Sequence, residues 1–255
     1  MRSTRHALDV TFKDNFSVQA AEYAKFRPRY PDALFAYLAS LCANRQNAWD
    51  CGTGNGQTAK ALSPYFNKVF ATDISQKQLD NAYQAGNIFY SVQPAEQTIF
   101  LNNSFDLITV SQALHWFHFD EFYTEVKRIA KPGAILAAWT YSLLRISKEI
   151  DGLIENLHFN VLHDYWDNER SYVDEHYQTI PFPFKKIDSP VFNIDYQWNL
   201  QDLEGYLNTW SGLQNYIAAG NKNPLPELMK RIRSHWKDTL PIVFPLHLLI
   251  GEIGK

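Results

Sequence analysis

Short apolar segments alternate with segments of helical periodicity over the first 141 residues of the chain. Strands are predicted at residues 48–51, 68–72, 88–92, 105–110 and 134–139, each nearly continuous in apolar character. Strands of this kind, separated by helices, are typical of a parallel sheet that is covered by helices on both faces. Ligands of such sheets bind in the crevice beyond the carboxyl ends of the strands.

The predicted helices are marked by residues that favour the start or the end of a helix. Pro31 opens the first helix, since proline is favoured at a helix start. Ser75 begins a capping box, which predicts a helix that runs to about Ala85. Asp120 is the expected N-cap of a later helix, which is expected to end at the Lys-Pro-Gly sequence of residues 131–133.

The pattern changes after residue 141. Helices are predicted at residues 147–165, 201–219 and 225–237, with strands at residues 192–198 and 242–253. We therefore predict a doubly wound, mostly parallel α/β sheet of seven strands, with a helical cap inserted before the last strand. Residues 1–141 and 241–255 are expected to form the core. Residues 142–240 are expected to form the mostly helical, aromatic cap that contributes to the substrate pocket.

Composition narrows the class of protein. The chain of 255 residues is 45% hydrophobic, its formal net charge is −3, and its Lys and Arg residues are scattered along the sequence. We therefore expect no nucleic-acid partner. The longest apolar run, residues 242–251, is too short to span a bilayer, so no membrane partner is expected.

The cysteine and histidine residues bear on whether the protein contains disulfides or a metal site. Cys42 and Cys51 do not suggest a disulfide framework, and the histidines lack the spacing of metal ligands, so no metal is predicted. We expect a cytoplasmic protein that is a monomer or a homodimer.

A glycine-rich turn follows the first strand and precedes a helix. It reads Gly52-Thr53-Gly54-Asn55-Gly56, and such glycines allow unusual backbone angles and a close approach of a ligand. The dinucleotide fingerprint requires a glycine at the position of Gln57. Asp50, at the end of the strand, is expected to repel a pyrophosphate. It is expected to attract an ammonium group, such as that of the methionine moiety of S-adenosylmethionine.

Polar residues also follow the later strands. Asp73 ends the second strand and can accept both ribose hydroxyls of an adenosyl ligand, although it is also suited to start a helix. Ala95 and Glu96 follow the third strand and are expected near the adenine edge, the alternative being a solvated acid at a helix N-terminus. The predicted cofactor-binding residues are Asp50, Gly52, Thr53, Gly54, Gly56, Asp73, Ile74, Ala95, Glu96 and Gln112.

Taken together, these motifs resemble those of the class I S-adenosylmethionine-dependent methyltransferases. The segments that carry the resemblance are residues 50–56, 73, 95–96, 105–110 and 131–133. Residues 23–31, 112–117 and 207–211 are similar to the trans-aconitate methyltransferase-like (methyltransferase type 11) group. The resemblance covers about residues 20–141 and implies a Rossmann-like fold, S-adenosylmethionine as cofactor and a small-molecule acceptor. Ala134 departs from the family, which more often has glycine there.

The chemistry that the protein must supply depends on the acceptor. A carboxylate is ionised at neutral pH and needs a cation or hydrogen-bond donors to hold it. Arg27 is the candidate for that role, although its segment also fits an extended surface arm. A hydroxyl or amine acceptor needs a general base, for which His115 is the candidate. The candidate catalytic residues are thus His115 and Arg27, and the candidate substrate-binding residues are Tyr23, Arg27, Tyr30, Trp116, Trp139 and Tyr141.

Several functions remain open at this point. Methyl transfer to a small molecule is the leading hypothesis, with a carboxylate acceptor preferred over a hydroxyl, an amine or a macromolecule. A nicotinamide-dependent oxidoreductase on a similar sheet is an alternative, against which Asp50 and Gln57 argue. A binding module that retains the cofactor site without turnover is the non-enzymatic alternative.

Overall fold

The computed structural model describes residues 28–254 and is built around one mixed sheet. Its strands are β1 (Asn47–Cys51), β2 (Lys68–Asp73), β3 (Ile88–Val92), β4 (Phe105–Ser111), β5 (Ala130–Tyr141), β6 (Lys185–Lys186), β7 (Asn193–Trp198) and β8 (Leu240–Ile253). The order across the sheet is β3-β2-β1-β4-β5-β8-β6, and β7 pairs with β8 outside this path. Strands β1 to β5 are parallel to one another, and β8 is antiparallel to β5.

Of the described helices, one precedes β1, and the others lie between successive strands of the chain. They are α1 (Asp32–Leu41), α2 (Gln57–Leu62), α3 (Gln76–Asp80), α4 (Phe119–Ile129), α5 (Lys148–Asn156), α6 (Arg170–Asp174), α7 (Leu200–Asn208), α8 (Ser211–Ala218) and α9 (Leu225–Arg233). Short 3₁₀ turns at Leu114–Trp116 and His163–Tyr165, and a π-helical turn at Leu157–Val161, connect them. In the described part of the chain, no helix is long and apolar enough to cross a membrane.

Strand β5 shows how the sheet buries both of its faces. Ile135, Ala137 and Trp139 belong to one hydrophobic cluster, whereas Leu136 and Ala138 belong to a second one. Because successive strand residues point to opposite faces, an all-apolar strand supplies both clusters at once. The predicted doubly wound, mostly parallel fold is therefore confirmed.

The sheet has eight strands where seven were predicted, the additional one being the two-residue β6. Strand β8, which was predicted, has different partners along its length. Residues 246–253 of this strand pair with β5, whereas residues 240–245 pair with β7. Pro245 lies where the partner changes. Because proline lacks an amide donor, it is tolerated at such an irregular position better than inside a regular ladder.

Helix α3 is shorter than predicted and ends at Asp80 instead of about Ala85. The Ser75 hydroxyl accepts from the Gln78 amide at 3.4 Å, as expected of a cap. Beyond the helix, the Tyr83 amide donates to the carbonyl of Asn55 in the glycine-rich turn. The amides of Asn81 and Ala82 still bond to carbonyls of the helix, and from Tyr83 the backbone is bonded to the turn instead.

The boundaries of α4 also differ from those predicted. The N-cap is His118 rather than Asp120, which lies in the first turn with Glu121. Acidic side chains there interact favourably with the positive end of the helix dipole without capping it. The helix ends at Ile129, and the Lys-Pro-Gly sequence of residues 131–133 already belongs to β5.

The segment before β8 packs against the sheet. One predicted helix, residues 201–219, is divided into α7 and α8, with Trp210 as the N-cap of the second helix. Leu203 and Leu213 of these helices share a hydrophobic cluster with Leu107 of β4. The proposed division of the chain into core and cap stays a prediction.

Candidate functional site

The glycine-rich turn between β1 and α2 has the left-handed backbone that its sequence predicts. The φ angles of Gly52, Gly54 and Gly56 are +66°, +55° and +79°. A Cβ on Gly52 would lie 2.7 Å from Cβ of Ala113, and one on Gly56 would collide with the Tyr90 hydroxyl. At Gly54, by contrast, no atom lies within 4 Å of the Cβ position. Two glycines are therefore required by packing, while the middle one leaves open space at the turn.

Asp50 lies fully buried beneath this turn. Its carboxylate accepts hydrogen bonds from the hydroxyls of Thr53 at 2.5 Å and Thr109 at 3.0 Å. Burial raises the pKa of Asp50 to about 7, an effect that these hydroxyls oppose. In the described state the side chain supports the turn, and its contact with an ammonium group stays a prediction.

Asp73 joins the turn to the end of β2. One carboxylate oxygen accepts the amide of Gly54 at 2.8 Å, and the other accepts the amide of Ser75 at 2.9 Å. These two bonds hold the carboxylate at the carboxyl end of β2, beside the glycine-rich turn. Ile74, the next residue, is 46% exposed beside this edge of the sheet.

Glu96 connects the loops that follow β3 and β4. Its Oε1 atom accepts the backbone amide of His118 at 3.0 Å, while Ala95 is buried in the hydrophobic core. The geometry thus gives Glu96 a positioning role between two loops. The predicted contacts of Ala95 and Glu96 with adenine remain untested.

Gln112 connects the end of β4 to the end of β5 through hydrogen bonds. Its φ angle is +54°, and its amide donates to the Trp139 carbonyl at 2.9 Å. Its side-chain oxygen accepts the Thr140 hydroxyl at 2.6 Å. A non-glycine residue in this conformation costs free energy, which the two bonds offset. Gln112 therefore lies at the carboxyl edge, where the sequence places it.

His115 lies on the 3₁₀ turn after β4 and is buried. Its Nδ1 atom is 2.8 Å from the hydroxyl of Tyr177. Burial, assisted by the positive charge of Arg170, lowers the pKa of His115 to about 3. The imidazole is therefore neutral at physiological pH and is a weak base in this state.

Tyr177 is a residue that the sequence reasoning missed. It is fully buried, has a φ angle of +61°, and lies in the stretch after α6. Its hydroxyl also interacts with Thr140, which completes a chain of polar groups from Gln112 to His115. Nothing in the local sequence signals this contact, because Tyr177 and His115 are 62 positions apart.

The predicted substrate-binding aromatic residues form two groups. The rings of Tyr30 and Trp139 meet edge to face, with their centroids 5.5 Å apart, and Tyr141 packs against Phe244. The Trp139 indole nitrogen is buried and has no hydrogen-bond partner among residues 28–254. Trp116 lies elsewhere, beside the His115 ring, and is 39% exposed.

Tyr23 and Arg27, two further candidates, lie outside the described residues. The nearest described residue, Pro28, has a carbonyl that accepts from the Gln57 side chain at 3.4 Å. Gln57 is the first residue of α2, directly after the glycine-rich turn. Within residues 28–254, no group of three or more His, Cys, Asp or Glu residues could hold a metal ion.

A glycine-rich turn after β1, an acid at the end of β2, and polar residues after β3 and β4 meet at one edge of the sheet. This arrangement defines an α/β protein with a candidate ligand site at the carboxyl edge of its sheet. A family profile described as "Methyltransferase domain" matches residues 49–138, which include most of that edge. The chain belongs to the class I S-adenosylmethionine-dependent methyltransferases.

Comparisons over the whole chain support this assignment. A protein of Dictyostelium discoideum that is named as a methyltransferase is 33% identical over 94% of this chain and 95% of its own length. A solved structure from Anaeromyxobacter dehalogenans, assigned as a type II methyltransferase, is 36% identical. It has a TM-score of 0.84 and covers 90% of this chain and 99% of its own.

More distant similarity is limited to the fold. The structure of YcgJ from Bacillus subtilis is 16% identical, with a TM-score of 0.53, and covers 88% of this chain and 100% of its own. Family membership decides against the nicotinamide-dependent oxidoreductase that the sheet alone left open. The protein is a methyltransferase.

Proposed function

We propose that this protein binds S-adenosylmethionine at the glycine-rich turn and transfers its methyl group to a carboxylate of a small molecule. The proposal that the protein binds this cofactor rests on the position of Asp73. Its carboxylate lies at the carboxyl end of β2 and is bonded to the glycine-rich turn. A ribose at this edge would find an acceptor for its two hydroxyls next to glycines that permit close approach.

The residues present fit the cofactor in charge as well as in shape. Asp50 supplies an acid for the methionine ammonium group, and Asp73 supplies one for the ribose. Gly54 has no atom within 4 Å of its Cβ position, so the turn offers room for a ligand. The proposed adenine contacts are Ala95 and Glu96, and Gln112 closes the edge after β4.

Bound S-adenosylmethionine supplies an electrophilic methyl group, and the protein must align an acceptor with it and exclude water. The state of His115 favours a carboxylate acceptor. A buried imidazole with a pKa of about 3 is poorly suited to remove a proton from a hydroxyl or an amine. An ionised carboxylate needs no such step. Hydroxyl, amine and macromolecular acceptors are the alternatives that the experiment must exclude.

The resemblance to the trans-aconitate methyltransferase-like group also supports a small acid as acceptor. Arg27 and Tyr23 belong to the segment that carries this resemblance, and we retain them as proposed substrate contacts. Of the aromatic candidates, Trp139 has a buried indole N–H without a partner among the described residues, and an oxygen of the substrate could accept its hydrogen bond. We further propose that the protein acts as a monomer or a homodimer, without nucleic acid or membrane.

The proposed function can be tested in two stages. Calorimetric titration with S-adenosylhomocysteine and with NAD should show binding of the first compound and none of the second. Release of S-adenosylhomocysteine is then measured over a panel of small carboxylic acids, phenols and amines, with turnover expected for acids. Turnover of phenols or amines alone would contradict the carboxylate proposal, and absence of cofactor binding would contradict the function as a whole.

A further inference from the structure

A second polar cluster lies beside the site, on the part of the chain between β5 and β6. It consists of Arg170 and Asp174 on α6, with His158 and Trp166, and we call it the Arg170 cluster. Helix α6 packs against the 3₁₀ turn that carries His115. None of the four residues was predicted from the sequence as part of the site.

Contacts fix the guanidinium group of Arg170 in place, but only part of its hydrogen-bonding capacity is engaged by described residues. Its Nε atom donates to Asp174 at 3.1 Å, and its guanidinium carbon lies 4.9 Å from the ring centroid of Trp166. In the part of the chain that the structure describes, its two terminal amino groups have no hydrogen-bond partner. The side chain is 27% exposed. Arg170 therefore presents a fixed, charged pair of donors that is accessible to a ligand.

Trp166, which supports the guanidinium, is itself fixed. Its indole nitrogen donates to the His158 carbonyl at 3.1 Å. Its ring packs on the backbone of α8 at Gly212, where a Cβ would lie 2.6 Å from the indole. A rigid stacking surface lowers the entropy that Arg170 loses when it binds a ligand.

Asp174 engages only one donor of Arg170, because its carboxylate also contacts a second residue. His158 Nε2 lies 3.1 Å from the same carboxylate. Burial lowers the pKa of His158, so the ring is neutral and donates from Nε2. The other ring nitrogen, Nδ1, is buried and has no partner among the described residues. The cluster thus contains one carboxylate, one guanidinium and one neutral imidazole.

The position of Arg170 connects the cluster to the proposed acceptor site. Its positive charge acts on both His115 and Tyr177. We propose that the terminal amino groups of Arg170 bind a carboxylate of the methyl acceptor, with Asp174 and Trp166 as positioning residues. Arginine is suited to this role because its planar donor pair matches the two oxygens of a carboxylate. The inference rests on the proposed function.

The test uses the full chain saturated with S-adenosylhomocysteine. Acetate, succinate, citrate and benzoate are titrated as carboxylate probes, and succinamide serves as an uncharged probe. At least one carboxylate should bind the wild-type protein, and succinamide should not. Arg170→Gln should weaken that binding at least tenfold while S-adenosylhomocysteine affinity stays within twofold of wild type. Arg170→Lys, which keeps the charge but loses the paired donors, should give an intermediate loss.

Arg145→Gln is the matched control, because Arg145 also lies between β5 and β6 and pairs with the exposed Glu155. It should leave carboxylate binding unchanged. The proposal is overturned if none of the four carboxylates binds, or if Arg170→Gln and Arg170→Lys bind them as tightly as wild type does. Failure of S-adenosylhomocysteine to bind would instead contradict the proposed function. The carboxylate titrations would then be made on the chain alone.

Discussion

The two sides of the site are built in different ways. What we propose as the cofactor side comprises the glycine-rich turn, Asp50, Asp73 and Glu96, which lie at or after the ends of successive strands of the parallel sheet. What we propose as the acceptor side comprises Gln112, His115, Thr140 and Tyr177, with Arg170 beside them. Residues of the proposed cofactor side bond to backbone amides and to two hydroxyls, of which that of Thr109 lies 59 positions from Asp50. Those of the acceptor side meet across separations of up to 62 positions.

The two sides also differ in charge. The proposed cofactor side contains three acids, of which Asp50 is buried beneath the turn, and acids suit a ligand with an ammonium group and sugar hydroxyls. On the acceptor side the imidazole is neutral, and the charged groups are Arg170 and its partner Asp174. The comparison teaches that the proposed cofactor side can be recognised from short motifs, whereas the proposed acceptor side includes residues of the segment before β8, which carries no such motif. Substitutions on each side should therefore have separable effects.

The largest effect is expected from Asp73→Ala on the cofactor side. The variant removes a carboxylate that accepts two amides and, as we propose, the ribose hydroxyls. Hydrogen bonds to a charged group contribute about 1.5–3 kcal/mol, so affinity for S-adenosylhomocysteine should fall by roughly 10- to 100-fold in calorimetry. Asp80→Ala, at the exposed end of α3, is the control and should bind normally. Wild-type affinity in Asp73→Ala would show that the ribose assignment is wrong.

An intermediate effect, on stability alone, is expected from Tyr177→Phe on the acceptor side. Loss of the hydroxyl leaves the buried Nδ1 of His115 without its partner, at a cost of about 1–2 kcal/mol. The melting temperature should fall by roughly 2–8 °C in differential scanning fluorimetry, with cofactor affinity unchanged. Tyr172→Phe is the control, since its hydroxyl bonds to no described residue. A loss of cofactor affinity in Tyr177→Phe would mean that the two sides are not separable.

The smallest effect is expected from Asp50→Asn, and it depends on pH. Burial raises the pKa of Asp50 from 3.8 to about 7, so the folded state retains a proton that the unfolded state releases above pH 4. The wild-type protein therefore loses stability between pH 4 and pH 7, and the asparagine variant does not. The melting temperature of the variant relative to wild type should rise by a few degrees over this range.

The hydroxyl bonds lost in Asp50→Asn lower the stability of the variant at every pH, so its net difference from wild type near pH 7 is small and only the change with pH reports the ionisation of Asp50. Other titrating groups, including His115, are present in both proteins and cancel in the comparison. At pH 8 the variant should also bind S-adenosylhomocysteine more weakly, because the proposed partner of the ammonium group is gone. A melting difference that does not vary with pH would indicate that Asp50 is ionised throughout.

Much of the cofactor side was predictable because its signals are local. The β1 strand, the left-handed glycines and the acid at the end of β2 all occur within residues 47–73. Predictions failed where a distant contact competed with a local preference. Helix α3 stops early because the chain after it bonds to the glycine-rich turn. Helix α4 begins at Phe119, directly after its N-cap His118, whose amide is bonded to Glu96.

Less of the proposed acceptor side could be predicted from the sequence. His115 and Trp116 were identified from their place after β4, but their environments were not. The contact between His115 and Tyr177, which helps to keep the histidine buried, requires a left-handed residue in a stretch without regular periodicity. Arg170 resembled any other surface cation until its stacking on Trp166 and its bond to Asp174 were known.

Neighbouring residues in the chain thus specify which segments become strands, where the backbone must turn, and which class of cofactor the turn suits. These properties depend on periodicity, backbone sterics and the sign of nearby charges, all of which act over a few residues. Tertiary packing decides which side chains are buried, which histidine stays neutral and which arginine is left with open donors. Those outcomes depend on desolvation and on contacts between distant segments, which form only when the whole chain has closed around its core.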